Sequence, residues 1–239
     1  MILPGGIIGG APQVKAVEFT DSTDMLSRST ALVGAVDGNS ATTSFWFRPT
    51  GLASSNQVMF RIGTAITFIR TATTGTLRID ASLPFVGSRI GYTSGATLAL
   101  NSWYHILVSW TLPGTNVIHV YISDAVDTPS SSTLTTGNVG LTATPNGLGI
   151  SNAGNPFVAG DFAEFWFAPT YIDLSVTDNR RKFIKADGKP AFLGLNGQRP
   201  TGSSPLIYLK GPASNWGTNS GTGGNFTVTG TFTDTTPPP

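Results

Sequence analysis

The sequence predicts an all-β fold, an antiparallel sandwich of two sheets with one short helix near residues 175–185. Three observations support this fold class. Short apolar segments alternate with polar residues at a period of two, turns rich in Gly, Ser and Thr separate these segments, and 239 residues suit one sandwich domain. The 14 Phe and 5 Trp residues can supply much of the area that such a core buries.

The clearest predicted element is a hairpin at residues 103–122. Alternation in its first strand places four large residues on one face, Tyr104, Ile106, Val108 and Trp110. A turn containing Pro, Gly and Asn follows, and the second strand spans residues 117–122. The register through this turn sets His119 opposite Ser109, so that the apolar residues of both strands share one core face.

Two further segments are predicted as aromatic strands. In residues 42–48, Phe45 and Phe47 lie on the face opposite Trp46. In residues 162–168, strict alternation defines two faces, Ala163, Phe165 and Phe167 against Phe162, Glu164 and Trp166. Each strand therefore has one apolar face for a core and a second face that carries a tryptophan.

The predicted organisation is an N-terminal arm at residues 1–14, one sandwich domain at residues 15–232 and a C-terminal tail at residues 233–239. The arm is apolar, lacks the basic start of a secretory leader and is interrupted by Pro and Gly. It predicts docking on neighbouring subunits through an assembly set, Ile2, Leu3, Pro4, Ile7 and Ile8. In the helix, Ser175 is the predicted N-cap, and Val176, Phe183 and Ile184 share a face.

Composition excludes several partners. Charged residues make up 11% of the chain and the formal net charge is +1, so we expect no nucleic-acid binding. No apolar run is long enough for a membrane span, and we expect no membrane insertion. The chain has no cysteine, which excludes disulfides and thiolate metal sites. The densest basic run, Arg180, Arg181, Lys182 and Lys185, is predicted to be a solvated helix face.

The sequence shows no catalytic constellation, and we predict that the protein is not an enzyme. Asp161 and Glu164 form the best local carboxylate pair, but a spacing of three puts them on opposite faces of a strand. His105 and His119 share a face without being adjacent, and no third zinc ligand accompanies them. No cofactor is predicted, although calcium stays possible at an oxygen-rich turn, with Asp21 and Asp24 as candidate ligands.

Three residues on the second strand faces are candidates for glycan binding, Trp46, Trp166 and Arg48. A tryptophan exposed beside charged groups can stack on a sugar ring. The same residues would also suit a subunit interface or burial under another part of the chain.

The order of elements resembles the concanavalin A-like, or laminin-G-like, jelly roll. The resemblance rests on VEFTDSTDMLSRS at 17–29, TTSFWFRP, the hairpin WYHILVSWT and VIHVYI, and GDFAEFWFAPTYIDLS at 160–175. The stretch that follows, DNRRKFIKADGKPAFLGLNGQRPTGSSPLIYLKGP, is similar to lectin-like proteins from the structural-gene regions of tailed bacteriophages.

This resemblance implies a non-enzymatic virion structural protein, assembled in the host cytoplasm and located on the virion. It would be a capsid decoration or cement protein, or a surface lectin-like module, that contacts other capsid or tail proteins and forms a homo-oligomer. The alternative is a carbohydrate-binding adhesin of a tail fibre that recognises host glycans. Calcium and sugar ligands of known lectins cannot be carried over, because no local motif matches them.

Overall fold

The computed structural model describes residues 13–20, 24–51, 56–148 and 159–239. Two antiparallel eight-stranded sheets pack face to face, which confirms the predicted all-β sandwich. The strands in chain order are β1 (Ala16–Phe19), β2 (Met25–Arg28), β3 (Ser40–Pro49), β4 (Gln57–Ile62), β5 (Ile66–Arg70), β6 (Thr76–Leu83), β7 (Gly87–Thr97), β8 (Tyr104–Thr111), β9 (Val117–Ile122), β10 (Ala125–Val126), β11 (Ser131–Leu134), β12 (Asn146–Leu148), β13 (Gly160–Ala168), β14 (Ile207–Leu209), β15 (Thr227–Thr229) and β16 (Thr233–Thr235).

Sheet one has the strand order β10-β9-β8-β3-β13-β1-β16, with β14 paired to β13 as well. Sheet two has the order β11-β7-β6-β5-β4-β12-β2-β15. Strands from distant parts of the chain are neighbours in both sheets, as expected where long connections cross between the layers of a sandwich. Strand β13 is central to sheet one because it pairs with β3, β1 and β14.

The main core lies between the two sheets and is rich in aromatic rings. Phe45 of β3 is fully buried, and its ring centroid lies 5.4 Å from that of Phe165 and 6.1 Å from that of Phe68 across the sandwich. Offset and edge-on contacts of this kind are the geometries that aromatic quadrupoles favour. The inward residues of the 103–122 hairpin join this core, and His119 pairs with Ser109 as predicted.

Strand β13 departs from the predicted alternation. Its register with β3 shifts between Ala163 and Trp166, and Glu164 adopts a left-handed φ of 51°. This β-bulge inserts one residue, so Phe162 and Phe165 both reach the main core although three positions separate them. The predicted face assignment within residues 162–168 was therefore wrong for Phe162, which lies in the main core, and for Ala163, which lies in an outer cluster with Trp46.

A second apolar layer covers the outer face of sheet one. Leu107 of β8 and Trp166 of β13 pack there against residues that follow β13, including Ile172, Phe183 and Leu193. A smaller cluster joins four further buried residues, Ala16, Trp46, Ala163 and Ile184. The segment 172–193 therefore acts as a lid that converts an outer sheet face into buried surface.

The predicted helix is one turn, α1 (Thr177–Arg180). Val176 is its N-cap residue and is exposed, whereas Phe183 and Ile184 are buried, so these three do not share a face. The Ser175 hydroxyl instead donates to Asp173, since an Asx-type turn precedes the helix. The N-cap and shared-face predictions were wrong.

The basic run after this helix is partly paired. Asp124, in the turn after β9, accepts hydrogen bonds from Arg180 at 2.9 Å and from Arg181 at 2.6 Å. The Arg180 guanidinium also lies 4.5 Å from the centroid of the Tyr121 ring. These contacts fasten the segment after β13 to the β9–β10 turn, while Lys182 and Lys185 are exposed.

The predicted terminal segments have different outcomes. The assembly residues Ile2, Leu3, Pro4, Ile7 and Ile8 lie outside the described residues. At the other end, β16 lies inside the segment predicted as a tail and pairs with β1 at the edge of sheet one. Sheet one therefore extends past the boundary predicted at residue 232. No helix in the described ranges is long and apolar enough to cross a membrane.

Candidate functional site

Both tryptophans proposed for sugar stacking are buried. Trp46 is 3% exposed and packs against the His105 ring, tilted by 36°, at a centroid distance of 4.9 Å. Trp166 is 0% exposed, and its indole N–H donates to the Gly197 carbonyl at 2.8 Å. Of the three possibilities that the sequence allowed, burial under another part of the chain is the one that the structure contains. Their predicted stacking role does not fit this arrangement, because neither ring offers a free face.

Arg48, the third glycan candidate, is held by protein groups. Its guanidinium pairs with the buried Asp161 carboxylate, donates to the Thr235 hydroxyl at 2.9 Å and lies 5.3 Å from the Trp103 ring centroid. Burial raises the pKa of Asp161, and the ion pair with Arg48 opposes that rise. Removing Arg48 would leave the buried Asp161 carboxylate without its cationic partner, so Arg48 has a structural role here.

The two histidines do not meet. His105 is fully buried, and its Nε2 shares a hydrogen bond of 2.8 Å with the Ser44 hydroxyl. His119 Nε2 lies 2.9 Å from the Tyr171 hydroxyl and 3.4 Å from Asp173. Burial lowers the pKa of both imidazoles, that of His105 to about 3. Neutral imidazole inside the protein suits packing rather than acid–base chemistry at neutral pH.

Asp24, a candidate calcium ligand, is bound by backbone groups from two different parts of the chain. Its carboxylate accepts hydrogen bonds from the Thr20 backbone N–H at 2.8 Å and from the Thr231 backbone N–H at 2.9 Å. A cation at these oxygens would have to compete with both donors. Asp21 lies outside the described residues, and within the described ranges no three His, Asp or Glu side chains are grouped as metal ligands would be.

A pocket opens where β13 changes its neighbour. β1 pairs with the first part of β13 and β14 pairs with its last part, so the bulged Glu164 lies at the junction between them. The residues just before β1 and just after β14 therefore converge on Glu164. We call this cavity the β13 pocket; its volume is about 670 Å³, within the range of small-ligand sites.

A buried acid and a phenol form the floor of the β13 pocket. Glu164 is 9% exposed and accepts a short hydrogen bond from the Tyr208 hydroxyl. Burial raises the pKa of Glu164, while the Tyr208 hydrogen bond and the nearby charge of Lys210 oppose the rise. Lys210 donates to the Leu195 carbonyl at 2.6 Å, and its ammonium lies 4.9 Å from the Tyr208 ring centroid.

The walls of the pocket mix apolar and hydrogen-bonding groups. They come from the start of the described chain, from the loops after α1 and β14, and from the end of the chain: Gln13, Val14, Lys185, Lys189, Pro190, Ala191, Phe192, Gly211, Asn215, Thr218, Ser220, Pro237, Pro238 and Pro239. Phe192 is half-buried, whereas Asn215 and Thr218 are exposed. The pocket can thus offer an aromatic ring, hydroxyls, an amide and a carboxyl to one ligand.

Sequence reasoning did not find this pocket. It named Glu164 as a poor catalytic partner of Asp161 and as a neighbour of Trp166 on one strand face. In the structure the two acids have separate partners, Tyr208 for Glu164 and Arg48 for Asp161. Asp161 does not line the β13 pocket. A usable signal was the polar and aromatic content of the loop after β14, but nothing local in the sequence connects that loop to β13.

A match to a protein-family model shows the family of this chain. Residues 21–172 match a laminin-G-type model described as the concanavalin A-like lectin/glucanases superfamily, and the match covers more than half of the chain. The chain belongs to the concanavalin A-like lectin/glucanases superfamily. A search of curated proteins gave no match. The family resemblance read from the sequence is confirmed, and nothing in the comparisons indicates a bacteriophage origin.

Solved structures share this superfamily fold at low identity. A native heptameric SAP-like pentraxin from Limulus polyphemus is 12% identical with a TM-score of 0.56, and the match covers 92% of this chain and 94% of the pentraxin. A protein from Bacteroides ovatus, named as a candidate carbohydrate-binding protein, is 14% identical with a TM-score of 0.60. That match covers 94% of this chain but 60% of the Bacteroides chain.

The residues that line the β13 pocket lie partly inside and partly outside the range matched by the superfamily model. Glu164 lies inside the matched residues 21–172, whereas Phe192, Tyr208, Lys210 and Asn215 all follow them. The jelly roll of this superfamily therefore supplies the bulged floor residue, and the segments after residue 172 supply most of the walls. This part of the chain gives the pocket its chemical character.

Proposed function

We propose that this chain is a non-enzymatic carbohydrate-binding module and that the sugar binds in the β13 pocket. The observation that carries the proposal is the pocket itself, where Phe192, Glu164 and Asn215 line one cavity of about 670 Å³. Sugars present one apolar ring face and a ring of hydroxyls, so a binding site needs an apolar surface and several hydrogen-bonding groups together. Membership of a lectin-containing superfamily supports the same ligand class.

The carboxylate arrangement supports binding rather than hydrolysis. Glycoside hydrolysis normally uses two carboxyl groups that flank one bond. Glu164 is the one acidic side chain among the described residues that line the β13 pocket, and Tyr208 already binds it. Asp161 is occupied by Arg48 outside the pocket. A single carboxyl can accept a hydrogen bond from a sugar hydroxyl, or donate one to it, without cleaving a glycosidic bond.

A glycan array probed with the full chain, with and without calcium, tests this proposal. We expect binding to a restricted set of glycans, followed by loss of about tenfold or more in affinity for Phe192→Ala, because burying an aromatic side chain is worth about 1.5–3 kcal/mol. Phe85→Ala is the matched control, since Phe85 is fully exposed in the β6–β7 turn of sheet two. A blank array, or equal effects of the two variants, would contradict the proposal.

A second proposal follows from the similarity of the C-terminal third to lectin-like phage proteins. We propose a virion-surface module that contacts other virion proteins and forms a homo-oligomer. One structural observation favours it: Val14, in the predicted arm, and Pro237–Pro239, in the predicted tail, line the same pocket, so described residues of both segments lie at one surface of the domain. Native mass measurement would reveal an oligomer, and unchanged attachment to particles after deletion of residues 1–12 would count against this role.

A further inference from the structure

The β13 pocket carries an excess of positive charge. Three lysines line it, Lys185, Lys189 and Lys210, against the single acidic side chain of Glu164. The carboxyl of Glu164 accepts a hydrogen bond from Tyr208, and its burial favours the uncharged form by raising its pKa. The one acid in the lining therefore offsets only part of the charge of the lysines.

The rim lysines remain available to a ligand. Lys189 Nζ lies 3.8 Å from the Asp187 carboxylate, at the long end of the ion-pair range, and both side chains are more than half exposed. Exposed pairs of this kind are weak, so an anion in the pocket can compete with Asp187. Lys185 is exposed on the same loop, and its backbone N–H donates to the Lys189 carbonyl at 2.8 Å, which closes the loop at the pocket edge.

Lys210 is the positioned cation. The Nζ hydrogen bond to the Leu195 carbonyl and the Tyr208 ring beneath the ammonium hold its side chain in one place. An ammonium has three donors, and the carbonyl takes one of them. Burial lowers the pKa of Lys210, since part of its hydration is lost, while the charge of Glu164 opposes that shift. An anionic ligand would replace the lost hydration.

We infer that the glycan bound in the β13 pocket is anionic, with a carboxylate or sulfate group held by Lys210 and attracted by Lys185 and Lys189. This inference rests on the proposed carbohydrate-binding function. Phe192 and the hydroxyl and amide side chains contact the neutral part of the sugar, and the lysines select its charge. Charge of this kind contributes mainly to selectivity and to the rate of association.

An array that prints each acidic glycan beside its carboxyl-reduced or desulfated counterpart tests this inference. We expect the acidic member of each bound pair to give the stronger signal, weakening as ionic strength rises because salt screens exposed charges. Equal or stronger signals from the neutral members would overturn the inference and leave the carbohydrate-binding proposal intact. A blank array would overturn both. Uronate and sulfate panels distinguish the two anions.

Lysine variants locate the effect. We expect Lys185→Gln and Lys189→Gln each to weaken binding of the best acidic glycan by about two- to fivefold, and Lys210→Gln by about tenfold, in keeping with rim and partly buried charges. Lys210→Arg should keep part of the affinity. Lys182→Gln is the matched control, because Lys182 is exposed on the same segment but does not line the pocket. Equal losses for Lys182 and Lys210 would overturn the assignment.

Discussion

Replacing His105 tests whether the outer face of sheet one is buried. His105 lies on the strand face opposite the predicted core face of the hairpin, yet it is 0% exposed between Ser44 and Trp46. In the part of the chain that the structure describes, its Nδ1 has no hydrogen-bond partner. A proton on this ring would create a buried imidazolium with incomplete hydrogen bonding, so the folded state disfavours protonation.

The magnitude follows from the pKa of His105. Burial lowers this pKa from 6.5 to about 3, and the charge of Asp124 opposes the change only in part. His105 takes up a proton near pH 6.5 in the unfolded chain but only near pH 3 in the folded protein. The stability that depends on a neutral His105 is therefore complete above pH 6.5 and is lost as the pH falls toward 3. Since one unit of pKa corresponds to about 1.4 kcal/mol, we expect a loss of about 2 kcal/mol between about pH 7.5 and pH 5.

Urea denaturation of the wild type and of His105→Gln at these two pH values measures the effect. The variant should be less stable at neutral pH but should lose about 2 kcal/mol less on acidification, because Gln does not titrate. Taking the difference between the two proteins removes the contributions of the acids, which are common to both. Equal acid sensitivity of the two proteins, or a His105 imidazole that titrates near 6.5 by NMR, would refute the burial argument.

Three further predictions concern the same layer and the core. Trp166→Phe should lower the unfolding free energy by about 1–3 kcal/mol, because it leaves the buried Gly197 carbonyl without its donor; a cost below half a kcal/mol would contradict that role. The pKa of Glu164 is raised, so its ionisation destabilises the folded protein as pH rises above about 4.5, and Glu164→Gln should remove that decline in pH-dependent melting. Phe45→Ala should cost about 3–5 kcal/mol in chemical denaturation, and a smaller loss would mean that the core collapses around the gap.

The sequence allowed the hairpin at 103–122 to be predicted well because two strands and one turn are local. The alternation of each strand and the register through the turn both place Val108 and Val120 in the main core, and the structure agrees. The family resemblance also followed from this ordered set of strands. Periodicity of two is a direct consequence of strand geometry, so it identifies elements without knowledge of their distant partners.

The bulge at Glu164 and the pocket beside it could not be predicted in the same way. The bulge lies where the neighbour of β13 changes from β1 to β14, and those strands are far apart in the chain. The lid over Trp46 and Trp166 is mostly irregular, so it has no periodicity that would indicate burial. The hypothesis that Trp46 and Trp166 are exposed was wrong because the sequence does not reveal this covering segment.

The most direct test of the account is NMR mapping of the glycan site. The labelled full chain is titrated with the glycan that binds best on the array, and the perturbed backbone amides are located. We predict that they cluster around the β13 pocket, at Phe192, Lys210 and Asn215. Perturbations confined to the outer face of sheet two or to the β6–β7 turn, with these three amides unmoved, would contradict the central claim.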